Sequence, residues 1–309
     1  MIDMRELQKH LGIIPKAVKP SSEVEPTKPQ NQTPLQITDP SDIVFISIDI
    51  EAYEHAHHKI TEIGISTFDT RSLTNSSKTP ITPGPNACDW LPLIQHRHIR
   101  IKEHLKLVNK RYIKGCPEKF DFGTSDIQNL HKASNIVQRI LQTGSLDPDM
   151  LPSTASRQVV ILSHGLSNDI KFLTQIGLPP TSPLLVNAKK ADTQVLCRSS
   201  KRFTISLAKL LTVLGIEYKN LHNAGNDAAF TAQALLIMAV VEAETPDEVR
   251  RRVRVLSGSQ EPSAEERKKL KWEKIERKRK RREERLAMRA EAEKNEGDVA
   301  GEVAGLKDW

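Results

Sequence analysis

Cysteine is scarce in this 309-residue chain: Cys88, Cys116 and Cys197 are the full set. Their wide spacing fits no metal-ligand pattern, and all three read as structural in a reduced compartment. Long apolar runs are missing as well. No stretch approaches the ~18 residues that mark a membrane-spanning helix. The first residues, MIDMRELQKHLG, lack the apolar core of a secretory signal. These absences argue for an intracellular protein, nuclear or cytoplasmic or both, with no membrane partner.

What is present is polar. Hydrophobic residues make up 38% and charged residues 28%, too polar a mixture for one compact body of this length, so tails are expected. The net charge of +7 is unevenly placed. Residues 266–289 carry 13 Lys and Arg against 5 acids, which leaves the rest of the chain near neutral.

Three regions follow. Residues 1–41 read as a disordered arm, because 15–41 is rich in Pro, Ser, Thr, Gln and Lys. A short helix near the start, with Met4, Leu7, Leu11 and Ile14 on one face, is the one element expected there. Residues 42–243 have globular patterning. Residues 244–309 read as a basic, charged helical tail with a flexible end.

Within 42–243, IVFISIDI (43–50) and ITEIGISTF (60–68) read as an antiparallel hairpin. A helix is expected over 126–142, a buried strand over 157–165 and a helix over 166–177 ended by Gly177 and two prolines. A short strand follows within 182–196. ISLAKLLTVLGI reads as a helix capped by Thr204, and 225–243 as a long apolar helix. Strands that come early and then alternate with helices imply a mixed α/β sheet covered on both faces.

The stretch FISIDIEAYE raises the functional question. Strand alternation puts Phe45, Ser47, Asp49 and Glu51 on one face, with the two carboxylates roughly 7 Å apart. Like charges beside a core repel and are penalised by desolvation. A divalent cation between them removes the conflict. The triplet alone is common, so the metal reading needs partners. Asp169 opens the helix after the third strand, although an acid there also complements the helix dipole. His222 and Asp227 are five apart. If the last helix starts at Gly225 or Asn226, His222 stays in the loop, Asp227 sits in the first turn, and both can face one space.

These segments resemble the three motifs of DEDDh-type 3′-5′ exonucleases of the ribonuclease H-like superfamily: Asp49-x-Glu51, Asn168-Asp169 before FL, and His222-x-Ala224-x-x-Asp227. ITEIGIS, Asp192-Thr193 and ISLAKLLTVLGI look like the family's accompanying strand, DT step and S-L-x-x-L helix. The DIEAYE form, HRHIRIKEHL and KFDFGTSDI look most like fungal proteins of the "good for full DEAD-box helicase activity" type. The resemblance covers about residues 42–243 and implies a ribonuclease H-like mixed sheet flanked by helices.

It also implies a reaction. Two Mg²⁺ or Mn²⁺ ions would be bound, Asp49 bridging them, Glu51 and Asp227 holding the one nearer the nucleophile and Asp169 the other. His222 would take the proton of the attacking water, and nucleoside 5′-monophosphates would leave. Tyr53 and Asn168 would lie by the 3′-terminal nucleotide. Where many proofreading relatives follow the first Glu with Thr-Gly, this chain has Ala52-Tyr53, a departure at positions that in the family lie near the 3′-terminal nucleotide. The substrate class is single-stranded nucleic acid, RNA or DNA. The run Lys278, Arg279, Lys280, Arg281, Arg282 is dense enough for phosphate binding or nuclear import. The rival reading is a weakly catalytic or non-catalytic nucleic-acid-binding adaptor that supports an RNA helicase in mRNA export. The remaining histidines, His55, His57, His58, His96, His98 and His104, are expected at the surface.

Overall fold

The computed structural model describes residues 1–16, 35–74, 79–147, 149–150, 157–198 and 204–256, together with Trp272, Glu276 and Arg279. The chain divides into two units, 1–257 and 258–309. In the second, Trp272, Glu276 and Arg279 are helical, and Arg279 pairs with Glu276 at 3.1 Å.

The first unit is built on a hairpin. Strand β1 (Ile43–Tyr53) and strand β2 (Ala56–Asp69) pair antiparallel. Their β-branched and aromatic content favours a pleated, buried surface. Strand β3 (Gln95–Ile101) pairs antiparallel with β2, and β4 (Asp126–Gln128) extends that edge in parallel. On the other side β5 (Gln158–Ser163) and β6 (Lys189–Asp192) add parallel strands. The sheet order is therefore β4-β3-β2-β1-β5-β6. This mixed sheet, with helices on both faces, is the ribonuclease H-like architecture expected.

Alternation along β1 divides two cores. Val44, Ile46, Ile48 and Ile50 face a cluster with Ala133, Val137 and Ile140 of helix α2 (Leu130–Thr143) and Leu166 and Leu173 of helix α3 (Leu166–Gln175). Ile43 and Phe45 face the other cluster, among residues of helices α5 (Leu207–Leu214) and α6 (Ala224–Glu244). By length and composition α6 could cross a membrane, but 94% of its apolar window is buried within the protein. Its hydrophobicity serves the core.

Several expected boundaries are corrected. Asp126–Gln128 pairs with β3 instead of starting a helix, and Asn129 caps α2 by accepting the Lys132 N–H at 2.7 Å. Ser206, not Thr204, caps α5 through the Lys209 N–H. The expected strand near 182–196 is β6, preceded by a helical turn at Pro183–Val186 and followed by helix α4 (Thr193–Cys197).

The expected arm is not disordered over its described parts. Helix α1 (Met4–His10) buries Leu7 and Leu11, and the Gln8 amide donates to the Ala239 carbonyl of α6 at 3.0 Å. Ile13–Ile14 then pairs with Gln36–Ile37. Apolar anchors one turn apart suffice to dock a short segment whose own helix would be marginal in water. The expected boundary at 243 also moves, because helix α7 (Glu248–Leu256) buries Val249 and Val253 in the first unit.

Candidate active site

The acids converge because three segment ends meet at one end of β1. The pairing of β1 with β5 stops at Ser47–Leu162. Beyond that point the β5 side of β1 has no strand partner. The Ile50 N–H there donates to Asp169 Oδ1 at 3.1 Å. Asp169 lies in the first turn of α3, and its Oδ2 accepts from the Ser163 hydroxyl. The carboxylate that closes the open sheet edge is thereby held against the residue between Asp49 and Glu51. Asn168 sits beside it, exposed.

The third segment is the start of α6. Asn223 caps it, accepting the Asn226 N–H at 3.1 Å. The helix therefore begins at Ala224, one residue earlier than expected, and His222 remains in the preceding turn at φ +65°. Its N–H donates to Asp227 Oδ2 at 3.1 Å. Close approach of this helix end to β2 depends on Gly64, the residue paired with Asp49. A Cβ on Gly64 would lie 1.8 Å from the Ala224 carbonyl oxygen. Asn226, fully buried, binds the loop carbonyls of Lys119 and Asn220, which fixes the turn around His222.

Ligand atoms of Glu51, His222 and Asp227 all lie within 4.8 Å of one another. The electrostatics match that crowding. Burial, then Asp227, Asp169 and Glu51, hold the Asp49 carboxyl well above its ordinary range. Burial and Glu62 push Glu51 up to about 8. Burial raises Asp169 and Asp227 to about 7 each, against hydrogen bonds that lower them. Asp227 Oδ1 is buried and has no hydrogen-bond partner. A buried carboxylate oxygen with no donor is costly, and a cation would satisfy it. The oxygen-rich donor set suits Mg²⁺ or Mn²⁺, so the residues present fit the expected ions. At the mouth, partial desolvation lowers the His222 imidazole below its usual value, in the direction of the neutral ring.

Two participants escaped the sequence reading. Glu62 pairs directly opposite Glu51, is buried, and adds a fifth acid. Its Oε2 lies 3.0 Å from His98 Nε2 and accepts the Ala224 N–H at 3.4 Å. His98 is fully buried, which corrects its assignment to the surface. The signal was an acid in the apolar run ITEIGIS and a histidine at alternate positions in HRHIRI. Asp192 has a different duty: its carboxylate accepts the N–H groups of Gly165, Leu166 and Gln194 and so caps two helices. Tyr53 is half-buried at the end of β1, beyond a bulge at Glu51–Tyr53. Of the basic run, Lys278, Lys280, Arg281 and Arg282 lie outside the described residues, and Arg279 is exposed.

Fold and acid cluster together define an exonuclease-like α/β domain. The chain belongs to the DEDDh_C family, described as DNA polymerase III subunit epsilon-like, C-terminal domain, whose family model matches residues 44–238. An uncharacterized nucleolar protein of Schizosaccharomyces pombe is 32% identical over 200 residues, 62% of this chain and 67% of that protein. Good for full DBP5 activity protein 2 of Saccharomyces cerevisiae is 29% identical over 201 residues. That match covers 60% of this chain but 33% of the yeast protein, so the chain spans about a third of that relative. The RNase domain of the yeast Pop2 protein aligns over 65% of this chain and 78% of its own, at 11% identity and a TM-score of 0.33.

Proposed function

We propose that this domain is a metal-dependent 3′-5′ exonuclease that hydrolyses single-stranded nucleic acid to nucleoside 5′-monophosphates. The observation that carries the reading is Asp227. Its Oδ1 is buried without a partner, among acids whose charges are otherwise unbalanced. Asp49, Glu51, Asp169 and Asp227 would hold two Mg²⁺ or Mn²⁺ ions. When bound, such ions activate water and offset the charge that builds on phosphate oxygens. The chain's own residues do the rest. Ile50 N–H and the Ser163 hydroxyl orient Asp169. His222, its pKa lowered by partial desolvation and its ring beside Glu51 and Asp227, would accept the proton of the attacking water on a ring nitrogen. Asn168, next to Asp169, and Tyr53, two residues after Glu51, would meet the terminal nucleotide.

The name of the Saccharomyces cerevisiae relative favours a second reading: an adaptor that binds nucleic acid and supports an RNA helicase. The nucleolar relative favours a nuclear location for this chain. A 5′-labelled single strand, RNA or DNA, incubated with the pure chain separates the two functions. Shortening from the 3′ end in Mn²⁺ or Mg²⁺, absent in EDTA and in Asp49→Ala, supports the enzyme. Under that reading His222→Ala slows cleavage about 10²–10⁴-fold. No cleavage by the wild type favours the adaptor, and equal cleavage by wild type and Asp49→Ala indicates contamination.

A further inference from the structure

The loop 109–116 is exposed, aromatic and basic, yet it is fixed at both ends to the cleft. At one end Asn109 accepts the Glu54 N–H at 2.8 Å and donates to the Ala52 carbonyl at 2.9 Å. The Glu54 carboxylate accepts the N–H groups of Lys110, Arg111 and Tyr112 at 3.0 Å each. Those three donors hold its carboxyl at about 2. At the other end the Cys116 N–H reaches the His222 carbonyl at 3.4 Å, and Asn223 donates to the Cys116 carbonyl at 3.2 Å. The loop thus bridges the segment just after Glu51 and the turn that carries His222.

Its outer side is unlike an ordinary surface loop. Tyr112 is 72% exposed. Lys110, Arg111 and Lys114 are exposed and form no ion pair among the described residues. The rings continue toward the acids. Arg111 lies over the Tyr112 ring at 5.5 Å, Tyr112 is 6.3 Å from His55, and His55 is 5.3 Å from Tyr53. Tyr53 is two residues from Glu51. Single exposed apolar side chains are normal on protein surfaces. A row of rings, held by a buttressed loop, edged with unpaired cations and ending at an acidic cleft, is a more specific arrangement.

We propose that Tyr53, His55, Tyr112 and Arg111 form a ledge on which bases stack outward from the 3′-terminal one at Tyr53, while Lys110 and Lys114 take the backbone phosphates. The ligand is a single-stranded nucleic acid, because stacking needs unpaired base faces and stacked rings with cations bind such strands with little sequence preference. The cleft alone repels a polyanion through its clustered carboxylates. The ledge supplies the attraction that the cleft lacks and leads the strand to it. This inference rests on the exonuclease reading of the acids, and the two can fail separately.

Binding of a 5′-labelled single strand to the full chain in EDTA, followed by fluorescence anisotropy, tests the ledge without cleavage. Tyr112→Ala should weaken affinity about 5- to 150-fold, and Tyr112→Phe should restore it. Replacing Lys110 and Lys114 together by Ala should flatten the slope of log affinity against log salt by about 1.4, or 0.7 per phosphate lost. Wild-type affinity in Tyr112→Ala, an unchanged slope in the lysine pair, or no binding by the wild-type chain would each overturn the ledge. If the wild type binds through these residues but never cleaves, the exonuclease reading falls and the ledge stands. If it cleaves and the variants bind normally, the reverse holds.

Discussion

Glu62 and His98 meet at 3.0 Å with neither side chain open to solvent. His98 Nδ1 also lies 2.8 Å from the Ser125 hydroxyl, so the pair links β2 and β3 to the loop before β4. The Glu62 carboxylate in turn accepts the Ala224 N–H, which opens α6. Removing the imidazole would leave a buried acid beside Glu51. His98→Ala should therefore destabilise the fold by about 1–3 kcal/mol, the cost of leaving a buried hydrogen-bonding group without its partner. Glu62→Gln in that background should recover part of the loss, because a carboxamide leaves a less costly buried group beside Glu51 than a carboxyl. Denaturant unfolding of the single and double variants measures the coupling, and strict additivity would show that the two groups act independently.

Gly64 makes a second dependence visible. Its missing side chain is what lets the first turn of α6 lie against β2, at the pair partner of Asp49. With a Cβ 1.8 Å from a backbone oxygen, one of the two elements must move. Gly64→Ala should cost at least the roughly 1–3 kcal/mol typical of overpacking. It should also lower cleavage beyond what the stability loss explains, since Asp227 rides on the displaced turn. Activity measured well below the variant's melting temperature separates these effects. A variant with normal activity and normal stability would refute the close-approach account.

The carboxyl cluster predicts an unusual pH response. In the unfolded chain these groups titrate near 4. In the folded chain without metal, Asp49 is raised, Glu51 stands at about 8, and Asp169 and Asp227 at about 7. The folded state keeps protons that the unfolded state has released. Stability must then fall as pH rises from about 4 through 8. Divalent ions need the deprotonated ligands, so their stabilising effect grows over the same window. Melting curves in EDTA and in Mn²⁺ at pH 5.5 and 8 should show the larger metal shift at pH 8. An equal shift at both values, or none, would argue against metal binding by these acids.

Much of the site was legible because strand alternation and helix starts are local signals. The face shared by Phe45, Asp49 and Glu51 follows from period two alone. Asp227 in a first turn and His222 before it follow from where an apolar helix can start. Glu62 was not legible in the same way, because its meaning depends on a cross-strand partner, Glu51, and on His98 from a strand whose register no local pattern fixes. The docking of α1 was missed for a similar reason: Leu7 and Leu11 are buried only because α6 lies beneath them. Asp126–Gln128 reads as the start of a helix until β3 offers it an edge. Long-range pairing decided each of these against local preference.

The basic segment gives the last prediction, and it rests on charge alone. Residues 266–289 hold an excess of eight positive charges while the remainder is close to neutral. If this segment binds nucleic acid, deleting residues 258–309 should weaken single-strand affinity. It should also flatten the salt dependence by about 0.7 for each phosphate released. The division of the chain after residue 257 means that the deletion leaves α7, with its buried Val249 and Val253, in place. Mn²⁺ stabilisation should then be unchanged, since all the clustered acids lie in the first unit. The tail's contribution would add to that of Lys110 and Lys114, so a combined variant should lose both slopes. If the truncated chain binds with the same affinity and slope, the segment is not a nucleic-acid arm. Nuclear import is then the remaining use for Lys278–Arg282, and a reporter fused to this segment that stays out of nuclei would exclude that as well.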